Sequence, residues 1–127
     1  MPGPLAGVRV VDATTMISGP FATRILADQG AEVWKIEDPR GGDHTRDVAG
    51  RRGGFSASFV NVNRGKRSVA VNLKDPRGLE AVLRLCEGAD VFVQNWRPGV
   101  AERLGLGEAA LRAPRADLIY AEIAGFG

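Results

Sequence analysis

Two short stretches hold the residues best suited to chemistry. The first is Asn95-Trp96-Arg97-Pro98-Gly99, with Arg103 about one helical turn further on. An aromatic ring beside a guanidinium can stack a base and pair a phosphate. The same residues would also suit a tryptophan in the core flanked by solvated arginines. The second is Ser18-Gly19-Pro20 at the start of a helical segment, where backbone N–H groups can receive a phosphate or carboxylate. An ordinary capped helix reads the same way. Neither stretch belongs to a Gly-x-Gly-x-x-Gly fingerprint or a Gly-x-x-x-x-Gly-Lys-Ser/Thr loop, which argues against a nicotinamide or flavin site and against a P-loop.

Other chemistries lack their residues. The chain has one histidine, His44, and one cysteine, Cys86, far apart in sequence, so a zinc site is not expected. Cys86 sits in an apolar helical stretch with Val82, Leu83 and Leu85 and reads as a small core residue. A serine triad would have to recruit His44 from a glycine-rich loop.

These residues need a scaffold, and the composition bounds it. A chain of 127 residues, 44% hydrophobic and 25% charged, suits one compact domain. The net charge of +2 and pI near 9.1 are too mild for a nucleic-acid partner and fit either a soluble surface or a few placed arginines facing a small anion. A single cysteine excludes an internal disulfide and suits a reducing, cytoplasmic compartment. No apolar run reaches membrane-spanning length, and the N-terminus lacks a basic region followed by an apolar one.

Strands and helices alternate. Val8–Asp12 reads as a buried strand, and a helix follows with Pro20 at its first position, an apolar stripe of Phe21, Ile25 and Leu26, and Gly30 at its end. Ala31–Glu37 reads as the second strand. Asp38–Phe55 is a long, glycine-rich polar loop, a length that points to function or disorder. Ser56–Val60 suits a helical turn and Ser68–Leu73 a third strand. Asp75 and Pro76 open a helix that buries Leu79, Val82, Leu83 and Cys86 and stops at Gly88. Asp90–Gln94 is a fourth strand, two short helices follow near Val100–Leu104 and Glu108–Ala113, and Asp117–Ala124 is a fifth strand. The pattern predicts an α/β fold: a Rossmann-like parallel sheet with helices on both faces. Ligands of such sheets bind beyond the strands' carboxyl ends. That directs attention to the loops at Ala13–Pro20, Asp38–Arg46, Lys74 and Asn95–Arg103. Gly125-Phe126-Gly127 follows the last strand directly, where a ligand loop belongs. Residues 1–127 are therefore expected to be a truncated portion of a larger domain.

Taken in order, the motifs resemble the N-terminal part of the family III CoA-transferases, the group of formyl-CoA transferase, the carnitine CoA-transferases and alpha-methylacyl-CoA racemase. The matching stretches are Pro4–Asp12, Gly19–Thr23, Leu26–Val33, Lys35-Ile36-Glu37, Gly42-Asp43, Asn63–Ser68, Asn72-Leu73-Lys74, Asn95–Gly99, Glu102–Gly105 and Gly125–Gly127. Together they cover essentially the whole chain. The resemblance implies contacts to coenzyme A from Ile17 and Ser18, from Val71, Asn72, Leu73 and Lys74, from Asn95, Trp96 and Arg97, and from Arg103. Lys74, Arg97 and Arg103 would meet the phosphates, and Trp96 or Leu73 would cover the adenine. Some members carry an arginine directly after Lys-Ile-Glu. Here Asp38 takes that place, and Arg40 is the nearest substitute.

By the same resemblance, coenzyme A or acyl-CoA is a substrate rather than a bound cofactor, with a carboxylic acid as its counterpart, and the full-length enzyme is an interlocked homodimer. The transferases' catalytic aspartate, which forms a mixed anhydride, and the racemases' histidine–aspartate pair lie beyond Gly127. No catalytic residue is therefore expected in this chain, and Asp12, Asp28, Asp43 and Asp90 do not fill the role. Transfer of coenzyme A between carboxylic acids is the leading expectation. A racemase working by 1,1-proton transfer is the alternative within the family, and an inert coenzyme A- or nucleotide-binding module the alternative outside it.

Overall fold

A computed structural model describes residues 2–127. Five strands form one parallel sheet: β1 (Arg9–Ala13), β2 (Glu32–Glu37), β5 (Arg67–Ala70), β6 (Val91–Gln94) and β7 (Ile119–Glu122), in the order β5-β2-β1-β6-β7. Helix α1 (Ser18–Asp28) links β1 to β2, α3 (Pro76–Glu87) links β5 to β6, and α4 (Val100–Leu104) and α5 (Glu108–Arg112) link β6 to β7. The predicted doubly wound architecture is the one observed. The register sets Asp12 beside Lys35 and Ala13 beside Gln94, so the strands' carboxyl ends share one edge.

The two faces of the sheet differ. Beneath α3, α4 and α5 lies an apolar core of Val11, Ile36, Val82, Phe92, Leu106 and Leu118. The Phe92 and Tyr120 rings stack there with centroids 5.3 Å apart. The other face has a smaller cluster of Val10, Ala31, Val33 and Val93. Toward the strands' carboxyl ends that side becomes polar, with Asp12 and Lys35 wholly buried.

Four elements depart from the sequence reading. Helix α1 begins at Ser18, two residues before Pro20, because a proline fits throughout a helix's first turn, where N–H groups have no internal partner. The turn also packs against Thr14, where any Cβ on Gly19 would collide. The expected stripe is misplaced as well. Phe21 and Ile25 face solvent, and α1 buries Gly19, Pro20 and Thr23 against the polar sheet edge instead.

The third strand ends at Ala70 rather than Leu73. The Lys74 N–H donates to Asn72 Oδ1, and this turn delivers the chain to the Asp75 cap of α3. Gly78 sits so close to the Asn72 carbonyl that no Cβ would fit, which locks the turn onto the helix. The helical turn near Ser56 extends into α2 (Ala57–Asn63), capped by the Ser56 hydroxyl. The long polar loop is largely structured: a 3-10 turn at His44–Asp47 precedes a hairpin of β3 (Arg51–Arg52) and β4 (Phe55–Ser56). Gly53 and Gly54, with φ of 59° and 84°, form its two-residue turn. Without flanking apolar alternation, that hairpin had no periodic signal.

Candidate functional site

A cleft of about 550 Å³ opens at the carboxyl ends of β1, β2, β5 and β6. It is lined by the β2-exit loop, with Asp38, Arg40, Gly42, His44 and Asp47, and by the turn Val71–Lys74 after β5. Trp96 and Leu104 line it from beyond β6, and Ala13 and Thr15 from the end of β1.

The cleft mixes apolar surface with exposed charge. Trp96 leans on Phe92 with centroids 6.3 Å apart and is half-buried, so one part of its ring belongs to the core and another to the cleft. Arg40 is exposed and bidentate on Asp38, at 3.1 and 2.9 Å, which holds the Asp38 carboxyl down at about 2. Arg40 thus stands in the cleft as half of an ion pair, and Lys74 is exposed in the turn after β5.

Behind the rim lies a buried polar lattice. Lys35 Nζ donates to Asp43 Oδ2 at 2.8 Å and to the Thr14 carbonyl at 3.0 Å. Asp43 also accepts from the Met16 and Thr45 N–H groups and the Thr45 hydroxyl. Glu37 accepts a bidentate pair from Arg46 at 2.9 and 2.7 Å, the Asp43 N–H and the Ser68 hydroxyl. Lys66 Nζ meets Asp12 Oδ2 at 2.8 Å and also donates to the Pro20 carbonyl and Asn63 Oδ1. Burial alone would raise the Asp12 carboxyl, but Lys66 and Lys35 override it and hold it below the usual carboxylate range. Burial likewise opposes ionisation of Asp43, and the Lys35 ammonium wins. Every charge in the lattice has its counter-charge, the condition under which burial is tolerated.

Of the expected contact residues, Arg40, Val71, Asn72, Leu73, Lys74 and Trp96 line the cleft. Ile17 and Ser18 are exposed at the start of α1, outside the lining. Asn95 grips the first loop: its Oδ1 accepts from the Thr15 N–H at 3.0 Å and its Nδ2 donates to the Thr15 carbonyl at 2.8 Å. Arg97 and Arg103 are exposed beyond the cleft, and Arg103 lies over Gly99. Cys86 is buried and its thiol is pushed up to about 12, leaving no thiolate for attack. Among the described residues no group of three metal-ligating side chains forms and no helix is long and apolar enough to cross a membrane.

Sequence reasoning missed the lattice. Gly42-Asp43 and Lys35-Ile36-Glu37 stood out as motif residues, but nothing local joins Lys35 to Asp43 or Lys66 to Asp12, which is 54 positions away. The available signal was ionisable residues within the first two strands, Asp12 in the one read as buried and Lys35 in the next.

Fold and cleft together define a doubly wound parallel α/β domain with its ligand edge at the strands' carboxyl ends. The model of CoA-transferase family III matches residues 5–127, and the chain belongs to that family. It is 45% identical to a succinyl-CoA:glutarate CoA-transferase of Mus musculus, over 98% of this chain and 29% of that protein. It is 45% identical to an acetyl-CoA:oxalate CoA-transferase of Acetobacter aceti, over 98% of this chain and 32% of that one. The crystal structure of a CAIB/BAIF family protein from Brucella suis superposes with a TM-score of 0.94 at 37% identity, over all of this chain and 35% of that one. The chain thus spans about a third of the length of the relatives it matches.

Proposed function

We propose that this chain is the coenzyme A-binding portion of an enzyme that transfers coenzyme A between carboxylic acids. The observation that carries the reading is the cleft, which gathers Arg40, Val71–Lys74 and Trp96 from three separate loops. Its chemistry suits the ligand. Coenzyme A carries a diphosphate and a 3′-phosphate for Arg40 and Lys74, and an adenine for Trp96 and Leu73. Ile17, Ser18, Asn95, Arg97 and Arg103 stand at the rim or behind it and complete the proposed contact set. Arg97 and Arg103 would swing inward on binding, as exposed long side chains can.

The chemical step in this reading uses a carboxylate outside residues 1–127. It attacks the thioester carbonyl, the coenzyme A thiolate leaves, and a mixed anhydride forms. The acceptor carboxylate then displaces the donor acid from the anhydride, and the waiting thiolate attacks the acceptor's acyl carbon, which gives the new thioester and frees the enzyme carboxylate. Transfer is favoured over racemisation because the mouse and Acetobacter relatives are both named as transferases. An interlocked homodimer belongs to the same proposal.

Calorimetric titration with coenzyme A tests the binding claim. Saturable heat is expected, with Trp96→Ala weakening affinity by about tenfold, the worth of one well-stacked base. Absence of heat, or an affinity that both Trp96→Ala and Lys74→Ala leave unchanged, overturns the site assignment.

A further inference from the structure

The loop that leaves β1 is held in a conformation its sequence does not favour. Met16 has φ of 70°, in the left-handed region that side chains other than glycine rarely enter. Its side chain is 41% exposed, so packing does not impose this geometry. Hydrogen bonds do. The Met16 N–H points between the two Asp43 oxygens, at 3.2 and 3.3 Å. One residue earlier, Asn95 takes both the N–H and the carbonyl of Thr15. Two residues earlier, Lys35 takes the Thr14 carbonyl while also binding Asp43. Three successive residues are thus clamped from β2, from the loop that follows it and from the turn after β6, and the next two are Ile17 and Ser18.

We propose that Asp43, anchored by Lys35, is a positioning residue that holds Met16 in the left-handed conformation and so presents Ile17 and Ser18 to the ligand. The inference rests on the coenzyme A reading above. Asp43 is 1% exposed and its carboxylate is filled by donors, so it acts through the loop rather than on the ligand. It also holds the β2-exit loop. Its own N–H donates to Glu37, and its carboxylate caps the 3-10 turn that carries His44. One buried side chain therefore sets the distance between the β1 loop and the β2-exit loop.

Titrating variants of the protein with coenzyme A tests this. Asp43→Asn removes the charge that Lys35 faces and turns one acceptor into a donor against the Met16 N–H. It is expected to weaken binding at least about tenfold, the penalty of one left-handed residue left unsupported. Glycine enters the left-handed region freely, so adding Met16→Gly to Asp43→Asn should bring affinity back to within about threefold of Met16→Gly alone. A role in packing or stability would show no such rescue. Met16→Val places a β-branched residue at the strained, exposed position without touching the ion pairs. It should weaken binding about tenfold while the circular dichroism spectrum stays native. If Asp43→Asn does not fold, Met16→Val decides. Glu80→Gln, at an exposed pair with Arg84, is the unaffected control. Heat from the unsubstituted protein that Met16→Val leaves unchanged overturns this inference alone, as does loss in Asp43→Asn without rescue. No heat from the unsubstituted protein overturns the coenzyme A reading and this inference with it.

Discussion

The two faces of the sheet solve opposite problems with the same strands. Val11 and Ile36 point to one side, into a dry core with Phe92, Leu106 and Leu118. Their strand neighbours Asp12 and Lys35 lie on the other side, 0% and 1% exposed, each in an ion pair of 2.8 Å. Apolar packing is non-directional and tolerates exchange of similar volumes, so the first face supplies cohesion. Buried ion pairs contribute little net stability but require particular geometry. The second face therefore fixes where loops go. Lys66 ties the end of α2 to β1 and α1, and Lys35 ties the β1 loop to Asp43. The cleft stands where the fixed loops meet.

The largest expected effect comes from breaking the polar face one-sidedly. Asp12→Ala leaves the Lys66 ammonium, on a side chain 1% exposed, facing only neutral acceptors, strips the Thr14 hydroxyl of its acceptor and leaves the Thr23 hydroxyl only the longer contacts to the Gly19 and Pro20 carbonyls. An uncompensated buried charge costs about 3–5 kcal/mol. A thermal or urea melt should show that loss, whereas Glu80→Ala, at the exposed Arg84 pair, should leave the midpoint in place. Equal midpoints for the two variants would erase the distinction between the faces.

On the apolar face the corresponding cut is Leu106→Ala. Leu106 is fully buried between the sheet and the short helices, and the deletion should cost about 2–4 kcal/mol. The instructive difference lies in repair. Leu106→Met should recover most of the loss, since volume is what that face requires. Asp12→Asn, equally close in volume, should recover little, because it still leaves Lys66 without a counter-charge. A melt of the four variants separates the two kinds of burial.

This contrast also explains what could be read from sequence. The apolar face was legible because it is periodic: β1, β2, β6, α3 and its Asp75–Pro76 start all follow from local pattern. The parallel sheet followed from the alternation of such segments. The polar face was not legible, because its logic is pairwise and long-range. Helix α1 shows the cost. Its apolar residues Phe21 and Ile25 suggested a buried stripe, yet the face against Asp12 needs small residues and a hydroxyl, namely Gly19, Pro20 and Thr23. Six of the expected contact residues line the cleft because they follow strand ends, which the alternation located. The residues that shape it, Lys35 and Glu37 in β2 and Asp43 in the loop that follows, carry no sign in the sequence of which partner each takes.

The smallest effect, and the one that most sharpens the comparison, is in acid. Burial would raise the Glu37 carboxyl, but the Arg46 guanidinium, the Ser68 hydroxyl and the Asp43 N–H hold it down at about 2, against 4.5 for a free glutamate. A carboxyl held lower in the folded state stabilises the fold above its unfolded value, and that stability is lost as pH falls through the folded one. The loss therefore runs from about pH 4.5 down toward 2, in the same direction as those from Asp12 and Asp43, which also lie below their ordinary values. The apolar face contributes no such slope. Arg46→Gln keeps a donor near Glu37 and removes the charge that rests on the Phe59 ring at 3.8 Å. Near pH 7 it should cost about 1–2 kcal/mol, because Arg46 is one-third exposed and solvent screens part of the pair. As pH falls from 4.5 toward 2 the gap between the variant and the unsubstituted protein should narrow and close, since protonation removes from both what Arg46 supplied. Urea midpoints measured from pH 7 to pH 2 check this, and parallel curves would show that the Glu37–Arg46 pair adds nothing to the polar face beyond volume.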